Sequence, residues 1–248
     1  KKRLSHQTML LANMSPDFIV WPEASTPYPL NLDSRWVEEL ATEANATILL
    51  GAVVREELYS YNTVAKVSPL KGLDPLWYAK RKLVPFGEDV PFPFTFIPGL
   101  SRLVGPIGNF TSGDDFQPIS LSGGNKDELT IGPLICYEDI FPGLARGAAL
   151  AGNDLIFVST NDAWFGDSIG PLQHFQMARM RAVEIGRYVI RGTNNGVSAI
   201  IAADGQVQQR SEQFVMASLE GNIVPMKGNT PFMLWKSYLV LLILMVMA

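Results

Sequence analysis

The sequence contains one cysteine, Cys136, in the stretch LICYEDIFP, where an apolar run ends and acidic residues follow. A lone cysteine at the end of a strand is often only a small buried hydrophobic residue. Where a strand passes into a helix, however, side chains project into active-site crevices, and the first backbone N–H groups of the helix are free to bind negative charge. Cys136 is therefore a candidate nucleophile for covalent catalysis by its thiolate.

A catalytic thiol needs a base or a cation beside it, since a thiol with a pKa of about 8.5 is mostly protonated at neutral pH. Glu23 directly follows the apolar run DFIVW, which is an unfavourable place for a carboxylate unless it faces a cleft. Lys80 stands among aromatic and apolar residues, and the Pro-Phe-Gly turn after it brings Glu88 near. His174 has no acidic residue beside it in the sequence, so a Cys–His pair is the weaker alternative.

Other residues near these positions have two interpretations each. Glu138 and Asp139 either take part in the site or stabilise the positive end of a helix dipole at the surface. Trp164 forms either a wall of the pocket or part of the core. Three polar residues either line the site or tie loops together, namely Asn161, Asp162 and Asn194.

Short apolar, β-branched runs bounded by turn residues predict strands, several of them buried on both faces. They cover residues 17–21, 46–54, 61–68, 129–136, 154–160, 188–193, 197–203 and 216–224. Helical patterns occupy 33–45, with Asp33 as the N-cap, and 171–187, with Pro171 in the first turn. The pair Asp204-Gly205 predicts a hairpin and thus a mixed sheet, and the alternation of strands and helices predicts a layered α/β fold.

Size and charge limit the classes of function. The 248 residues, 47% of them hydrophobic, suffice for one domain with a sizeable core. The net charge is −4 and no basic stripe is present, which excludes nucleic acid as a partner. One cysteine and two histidines, His6 and His174, in unrelated contexts form no metal-binding pattern. We therefore predict an activity that uses neither a metal nor a cofactor.

The C-terminal stretch, residues 232–248, is strongly apolar and carries no charge after Lys236. Its uncharged part is about half of the ~20 residues that a membrane-spanning helix needs, so it predicts the start of a transmembrane helix. Trp235, Lys236 and Tyr238 are residue types that favour the headgroup boundary. The alternative is a terminal helix buried in the domain. The N-terminal stretch lacks the features of a signal peptide.

Three of these motifs together resemble those of a known family. Glu23 in WPEAS, Lys80 in YAKRKLVPFGEDVP and Cys136 in LICYEDIFP resemble, in chain order, the Glu–Lys–Cys triad of the nitrilase superfamily. The stretches LVPFGE, STNDAWFGDSIGPLQHFQMARMRAVEIGR and RGTNNGVSAII look more specifically like apolipoprotein N-acyltransferases, the membrane enzymes that finish bacterial lipoproteins. The resemblance extends from about residue 18 to the C-terminal helix.

The resemblance implies an architecture and a location. The fold would be a nitrilase-like αββα sandwich with mixed sheets over residues 1–231, with its first strand upstream of residue 1, followed by a truncated transmembrane helix at 232–248. The enzymes of this family are multi-pass proteins of the bacterial inner membrane, with the catalytic domain on the periplasmic side. The Phe-rich segment 91–113 would form mobile arms around the lipid entrance.

The resemblance also implies roles and partners. Glu23 would be the base, Cys136 the nucleophile, and Lys80 with the backbone N–H of Tyr137 would bind the oxyanion. The acyl donor would be a membrane phospholipid, phosphatidylethanolamine, and the acceptor the α-amino group of a diacylglyceryl-cysteine on an apolipoprotein. Glu88 would orient the lysine or the amine, with Tyr137 and Glu138 in supporting positions near the acceptor. The alternatives are a soluble nitrilase-type amidase with the same triad and a membrane-tethered binding module with an inactive triad.

Overall fold

The computed structural model describes residues 1–92, 94–96, 110–121, 128–236 and 238–247. The helices are α1 (Lys2–Ala12), α2 (Arg35–Ala44), α3 (Pro142–Leu150), α4 (Gly170–Ile185), α5 (Pro231–Trp235) and α6 (Tyr238–Met247). The strands are β1 (Phe18–Trp21), β2 (Thr47–Glu56), β3 (Tyr59–Ser68), β4 (Gly72–Leu73), β5 (Tyr78–Ala79), β6 (Ile119–Leu121), β7 (Leu129–Ile135), β8 (Leu155–Asn161), β9 (Tyr188–Asn194), β10 (Ala199–Ile201) and β11 (Val207–Arg210). Helices and strands alternate from α1 to β2 and again from β7 to β9.

The strands form two sheets, and both are mixed as predicted. The first has the order β1-β2-β3-β4, with β5 also paired to β3, and its only parallel pair among the described strands is β1 with β2. The second has the order β11-β10-β9-β8-β7-β6. Its central strands β7, β8 and β9 run parallel, which suits their continuous apolar sequences because such strands are buried on both faces.

The two sheets pack face to face, with helices on their outer faces. Between the sheets lies a shared cluster that includes Leu49 and Val64 from the first sheet and Ile131 and Phe157 from the second. Helices α1 and α2 cover the outer face of the first sheet. Helices α3 and α4 cover the outer face of the second. The predicted αββα sandwich is therefore confirmed.

Most predicted elements are present, with three differences. The predicted strand at 216–224 is wrong, because these residues are mostly exposed and pair with no strand within the described part of the chain. Helix α2 begins with Ser34 rather than Asp33 at its N-cap, and Asp33 instead contacts Lys1. The predicted strand at 197–203 shortens to β10, and the predicted hairpin joins β10 to β11.

The C-terminal stretch forms a helix, α6, whose described side chains from residue 242 to 247 are exposed. The alternative of a terminal helix buried in the domain is therefore wrong. Among the helices of the described residues, none is both long and apolar enough to span a membrane. The predicted transmembrane segment, the domain boundary after residue 231 and the strand upstream of residue 1 stay predictions.

Candidate active site

Cys136 lies where β7 ends and a 3-10 helix, Cys136–Ile140, begins, directly before α3. The predicted strand-to-helix junction is thus present. Cys136 has a φ of +47°, in the left-handed region that costs a non-glycine residue about 1–2 kcal/mol. Such strain persists only where the surrounding structure imposes it, and it clusters at functional sites. The residue is buried, with 9% of its surface exposed.

Glu23 comes from the other sheet and meets the second sheet at the carboxyl ends of its parallel strands. It lies two residues after the end of β1 and is buried. Its backbone N–H donates to the carbonyl of Thr160, at the end of β8, over 3.4 Å. The Asn194 side chain, at the end of β9, donates to the carbonyl of Glu23 over 2.6 Å. The carboxyl ends of parallel strands are where α/β folds bind ligands, and Cys136 follows the third such strand.

Lys80 is the cation of the site. It follows β5 and is almost fully buried, with 1% of its surface exposed. Its Nζ lies 2.8 Å from Glu88 Oε1 and 3.7 Å from Glu23 Oε1. Burial alone would lower the pKa of Lys80, but its interactions with Glu23, Cys136 and Glu88 outweigh burial and raise it. Lys80 is therefore a permanent ammonium at neutral pH.

Glu88 closes its own turn and also contacts Lys80. Its Oε2 accepts a hydrogen bond from the backbone N–H of Val84, over 2.9 Å, which closes the turn. Its Oε1 contacts Lys80. Asn62 on β3 bridges the two glutamates, since its Nδ2 donates to Glu23 Oε1 over 2.6 Å and to Glu88 Oε1 over 3.1 Å. The sequence offered no signal for Asn62, which sits in an ordinary strand pattern.

Glu23 and Cys136 form a candidate acid–base pair. Burial raises the pKa of Glu23, and Lys80, Asn62 and the Cys136 thiol oppose this effect. The second carboxylate oxygen, Oε2, is buried and has no hydrogen bond of regular geometry within the described structure, although the thiol lies close enough to lower the pKa of the carboxyl. A buried unpaired carboxylate oxygen beside a thiol is an available proton acceptor.

The thiol itself is protonated at rest. Burial and the charge of Glu23 raise the pKa of Cys136 to about 12, against the opposing effect of Lys80 and of a hydrogen bond with Thr160. A free thiolate would therefore be rare at neutral pH. If Cys136 is the nucleophile, its proton would have to pass to Glu23 as the sulfur attacks, and the Lys80 ammonium would compensate the negative charge that results.

Comparison with known proteins agrees with this geometry. Residues 8–223 match the sequence model of the family described as carbon-nitrogen hydrolase. The chain belongs to the carbon-nitrogen hydrolase family. An amidase from Nesterenkonia sp. has the same fold, with a TM-score of 0.63 over 85% of this chain and 78% of the amidase, at 18% sequence identity. At this identity the likeness supports the fold alone, and the predicted nitrilase-like fold is confirmed.

Curated relatives in this family are more closely similar in sequence. The chain is 39% identical over 225 residues to the apolipoprotein N-acyltransferase of Pseudomonas putida, covering 90% of this chain and 44% of that protein. It is 38% identical over 244 residues to the apolipoprotein N-acyltransferase of Azotobacter vinelandii, covering 95% of this chain and 46% of that protein. The resemblance to apolipoprotein N-acyltransferases is confirmed. The chain spans less than half the length of these relatives.

Glu138 is a buried support of the candidate site. Its Oε2 accepts hydrogen bonds from the backbone N–H of Ile135 and from the Tyr78 hydroxyl, both over 2.8 Å. Its Oε1 accepts from the backbone N–H groups of Arg81, over 2.8 Å, and Lys82, over 3.1 Å. Glu138 is fully buried, so its placement as a surface charge on a helix dipole is wrong. It ties the turn of the nucleophile to the segment that carries the lysine.

Two aromatic candidates lie nearer the surface. Tyr137 is partly buried, and its ring packs edge-on against Phe141 at 5.0 Å between ring centroids. Trp164 is 57% exposed, which rules out the core alternative; its role as a pocket wall stays a prediction. Asn161 ties its own loop, since its side chain accepts a hydrogen bond from the backbone N–H of Ala163.

No acidic residue stands beside His174 in the sequence, but the fold brings two to it. The side chain is buried and lies 2.7 Å from Asp139 Oδ1 and 2.8 Å from Asp162 Oδ1. These acids are distant in sequence, so the sequence near His174 carried no sign of them. Its Nε2 lies 3.2 Å from the backbone carbonyl oxygen of Cys136. The imidazole therefore faces the backbone of the nucleophile, whereas Glu23 faces the thiol.

The Phe-rich segment 91–113 is tied to the site at its C-terminal end. The backbone N–H of Phe110 donates to the carbonyl of Glu88 over 3.0 Å, and that of Gly113 to the carbonyl of Lys80 over 2.9 Å. Three of its phenylalanines have exposed side chains, namely Phe92, Phe94 and Phe96. Residues 93 and 97–109 lie outside the described residues, so the predicted mobile arms stay a prediction.

Proposed function

We propose that this protein transfers an acyl chain from a membrane phospholipid to the α-amino group of the N-terminal diacylglyceryl-cysteine of an apolipoprotein. The observation that carries the proposal is the meeting of Cys136, Glu23 and Lys80 in one buried site, in a chain 39% identical to an apolipoprotein N-acyltransferase. The donor we favour is phosphatidylethanolamine, as the sequence resemblance implies.

In the first step the thiol becomes acylated. Glu23 Oε2 takes the proton of the Cys136 thiol as the sulfur attacks the ester carbonyl carbon of the phospholipid. The tetrahedral intermediate collapses when the glycerol oxygen leaves with the proton from Glu23. The products are a thioester on Cys136 and a lysophospholipid.

The negative charge that develops on the carbonyl oxygen needs compensation. Lys80 supplies a buried ammonium, and the backbone N–H of Tyr137, at the start of the 3-10 helix, supplies a second donor. One oxyanion donor is commonly worth about 3 kcal/mol of transition-state stabilisation. Glu88 holds the lysine in this position through its contact of 2.8 Å.

In the second step the amine takes the acyl chain. The α-amino group attacks the thioester carbon, and Glu23 accepts a proton from the nitrogen. The carbon–sulfur bond then breaks, and the proton returns to the thiolate of Cys136. The product is an amide, so the lipoprotein carries a third acyl chain and the enzyme returns to its starting state.

Water must be kept from the thioester, since hydrolysis would turn the transferase into a lipase. Cys136 belongs to the apolar cluster between the sheets, together with Tyr78, Phe157 and Ile190. Only 9% of the surface of Cys136 is exposed, which limits the access of water. Partly exposed Tyr137 and exposed Trp164 are the candidates for the wall of the pocket where the chain and the acceptor enter.

The proposed location is the bacterial inner membrane, with the catalytic domain on the periplasmic side. The apolar helix α6 and the exposed Phe92, Phe94 and Phe96 support this part of the proposal, because exposed apolar clusters of this kind suit contact with lipid.

The test is a covalent adduct. The full chain, incubated with phosphatidylethanolamine of one defined acyl composition in mixed micelles, should gain the mass of one acyl group on the peptide that contains Cys136. Cys136→Ala serves as the control and should gain none. A folded protein that gains no mass would refute the acyltransferase and leave the amidase and the binding module.

A second candidate is an amidase with the same triad, since the fold is shared with the Nesterenkonia amidase. It predicts release of ammonia from small amides such as acetamide, without detergent and without a phospholipid adduct. Ammonia release at rates abolished by Cys136→Ala, in the absence of any acyl adduct, would decide for the amidase.

A further inference from the structure

A second cluster of buried charges borders the nucleophile turn. It consists of Asp139 in the turn, Asp162 just after β8, His174 on α4 and Arg191 on β9, none of them more than 4% exposed. The mechanism proposed above does not use this cluster. Buried charges are costly unless they are paired, so their arrangement calls for an explanation.

The cluster is closed by ion pairs. Arg191 Nη1 contacts Asp139 Oδ2, and its Nη2 contacts Asp162 Oδ2, both over 2.9 Å. His174 Nε2 contacts Asp139 Oδ1 over 2.7 Å, and its Nδ1 contacts Asp162 Oδ1 over 2.8 Å. Each of the four carboxylate oxygens thus has a cationic partner, provided that the imidazole is protonated.

One contact leaves the cluster and reaches the nucleophile. His174 Nε2 lies 3.2 Å from the carbonyl oxygen of Cys136, and this contact has hydrogen-bond geometry, whereas the closer one to Asp139 Oδ1 does not. Further along the same helix, Arg181 donates to the carbonyls of Asp139, over 3.3 Å, and Ile140, over 3.1 Å. Side chains of helix α4 therefore contact carbonyl groups of the nucleophile turn, while Glu138 accepts a hydrogen bond from the backbone N–H of Ile135 before the turn.

We propose that His174 is a positioning residue that fixes the carbonyl group of Cys136, and through it the left-handed turn that aims the thiol at Glu23. The carbonyl of a residue with a φ of +47° points in a direction that ordinary helix or strand pairing does not satisfy. A buried donor in that direction removes the penalty of an unpaired carbonyl. The inference relies on the proposed function only in taking Cys136 as the nucleophile.

The protonation state of His174 follows from the groups around it. Asp139 faces it from the nucleophile turn, Asp162 from the end of β8 and Arg191 from β9. On its own helix, Arg181 and Glu184 pair with each other. Burial lowers the pKa of His174, but Asp139 and Asp162 outweigh burial and the repulsion of Arg191 and raise it to about 9. Deprotonation above that pH would remove one N–H donor from the cluster.

Two substitutions separate positioning from simple stabilisation. In His174→Gln the terminal amide nitrogen replaces Nε2 and keeps the donor to Cys136, whereas in His174→Asn the nitrogen replaces Nδ1 and loses it. The readout is the rate of alkylation of Cys136 by iodoacetamide, which needs no lipid. We expect His174→Asn to slow alkylation by about tenfold or more, as a misplaced reacting atom does, and His174→Gln to remain near the wild-type rate. His6→Asn, at an exposed position on α1, is the control.

The inference is overturned if His174→Asn, folded by circular dichroism, reacts at the wild-type rate. It is also overturned if both substitutions slow the reaction equally, since charge or stability would then be the cause. Because alkylation is independent of acyl transfer, a missing phospholipid adduct on the wild type would refute the proposed function without affecting this result.

A spectroscopic measurement on the wild type tests whether His174 binds the Cys136 carbonyl, even if His174→Asn does not fold. Because Cys136 is the only cysteine, cysteine labelled with 13C at the carbonyl gives one protein resonance. Its chemical shift should titrate with a midpoint of about 9, as His174 loses its proton, and should not titrate in His174→Gln. A wild-type carbonyl resonance that is constant from about pH 7 to pH 10, around that midpoint, contradicts the inference.

Discussion

Two buried ionic clusters flank Cys136, and they differ in whether their charges are satisfied. In the cluster of Asp139 and Asp162, every carboxylate oxygen contacts a cation within 2.9 Å. In the cluster around Lys80, Glu23 Oε1 is 3.7 Å from the ammonium, and Glu23 Oε2 has no cationic partner in the described structure. Similar residue types thus produce a closed network on one side and an incomplete one on the other.

The difference teaches how the site divides its tasks. A closed network fixes its neighbours, because moving any member would leave a buried charge unpaired. An incomplete network leaves a carboxylate oxygen free to accept a proton, as a general base must. Cys136 lies between the two networks. Its backbone carbonyl contacts the closed network, and its sulfur lies near Glu23 in the incomplete one.

The largest effect should come from removing the sulfur. Cys136→Ala should abolish acyl transfer completely while costing less than about 2 kcal/mol of stability, since it removes one small buried atom. Acyl transfer measured with a labelled phospholipid, alongside thermal unfolding, checks both parts. Substantial turnover in this variant would remove Cys136 from the mechanism.

The next largest effect should come from the incomplete network around Lys80, which contains Glu23. Glu23→Gln removes the base, so alkylation of Cys136 by iodoacetamide near neutral pH should slow by about 10²–10⁴-fold. In the wild type the same rate should fall as the pH drops through the raised pKa of Glu23. Glu43→Gln, an exposed glutamate on α2, is the control and should react normally. Unchanged labelling in Glu23→Gln would exclude this carboxylate as the base.

A smaller effect should come from the backbone that places Glu23. A Cβ on Gly51 would come within 2.5 Å of the Glu23 Cα and would also clash with the Ser159 side chain. Gly51→Ala should therefore displace Glu23, cost about 1–3 kcal/mol of stability and slow alkylation. In Gly143→Ala, on α3, the new Cβ would have no neighbour within 4 Å, so stability and rate should be preserved. Equal stability and rate in both variants, from denaturant unfolding and labelling, would contradict the close approach of the two sheets.

The smallest effect should be on the free energy of unfolding, when His174 in the closed network loses its proton. The folded-state pKa of His174, about 9, exceeds its unfolded value of 6.5. Its contribution to stability is therefore complete below the unfolded pKa and is lost as the pH rises through the folded one. We expect a loss of about 1 kcal/mol between about pH 7.5 and 8.5 in urea unfolding of the wild type. His174→Gln should show no such loss, and an identical pH dependence in both would count against a protonated His174.

The sequence was informative where function depends on local motifs and less so where it depends on distant contacts. The strand ending at Cys136 and the elements around Glu23 and Lys80 follow from apolar runs and turns, and the family resemblance groups these residues. Asn62 and Arg191 were not predicted, because each lies within a strand whose pattern reports only burial.

Errors in the fold prediction have the same physical origin. The stretch 216–224 has the composition of a strand, but a strand needs a partner, and the described residues offer it none. Burial of Glu138 and Asp139 could not be read from their position after Cys136, because the groups that compensate their charge come from other parts of the chain.

The most direct test of the account is a chase of the acyl-enzyme. Protein acylated by phosphatidylethanolamine is separated from free lipid and mixed with a peptide that begins with diacylglyceryl-cysteine, or with buffer alone. The account predicts that the acyl mass leaves Cys136 quickly only with the peptide and appears on the peptide's α-amino group. Equal loss of the adduct in buffer, with free fatty acid as the product, would show a hydrolase and contradict the transfer mechanism.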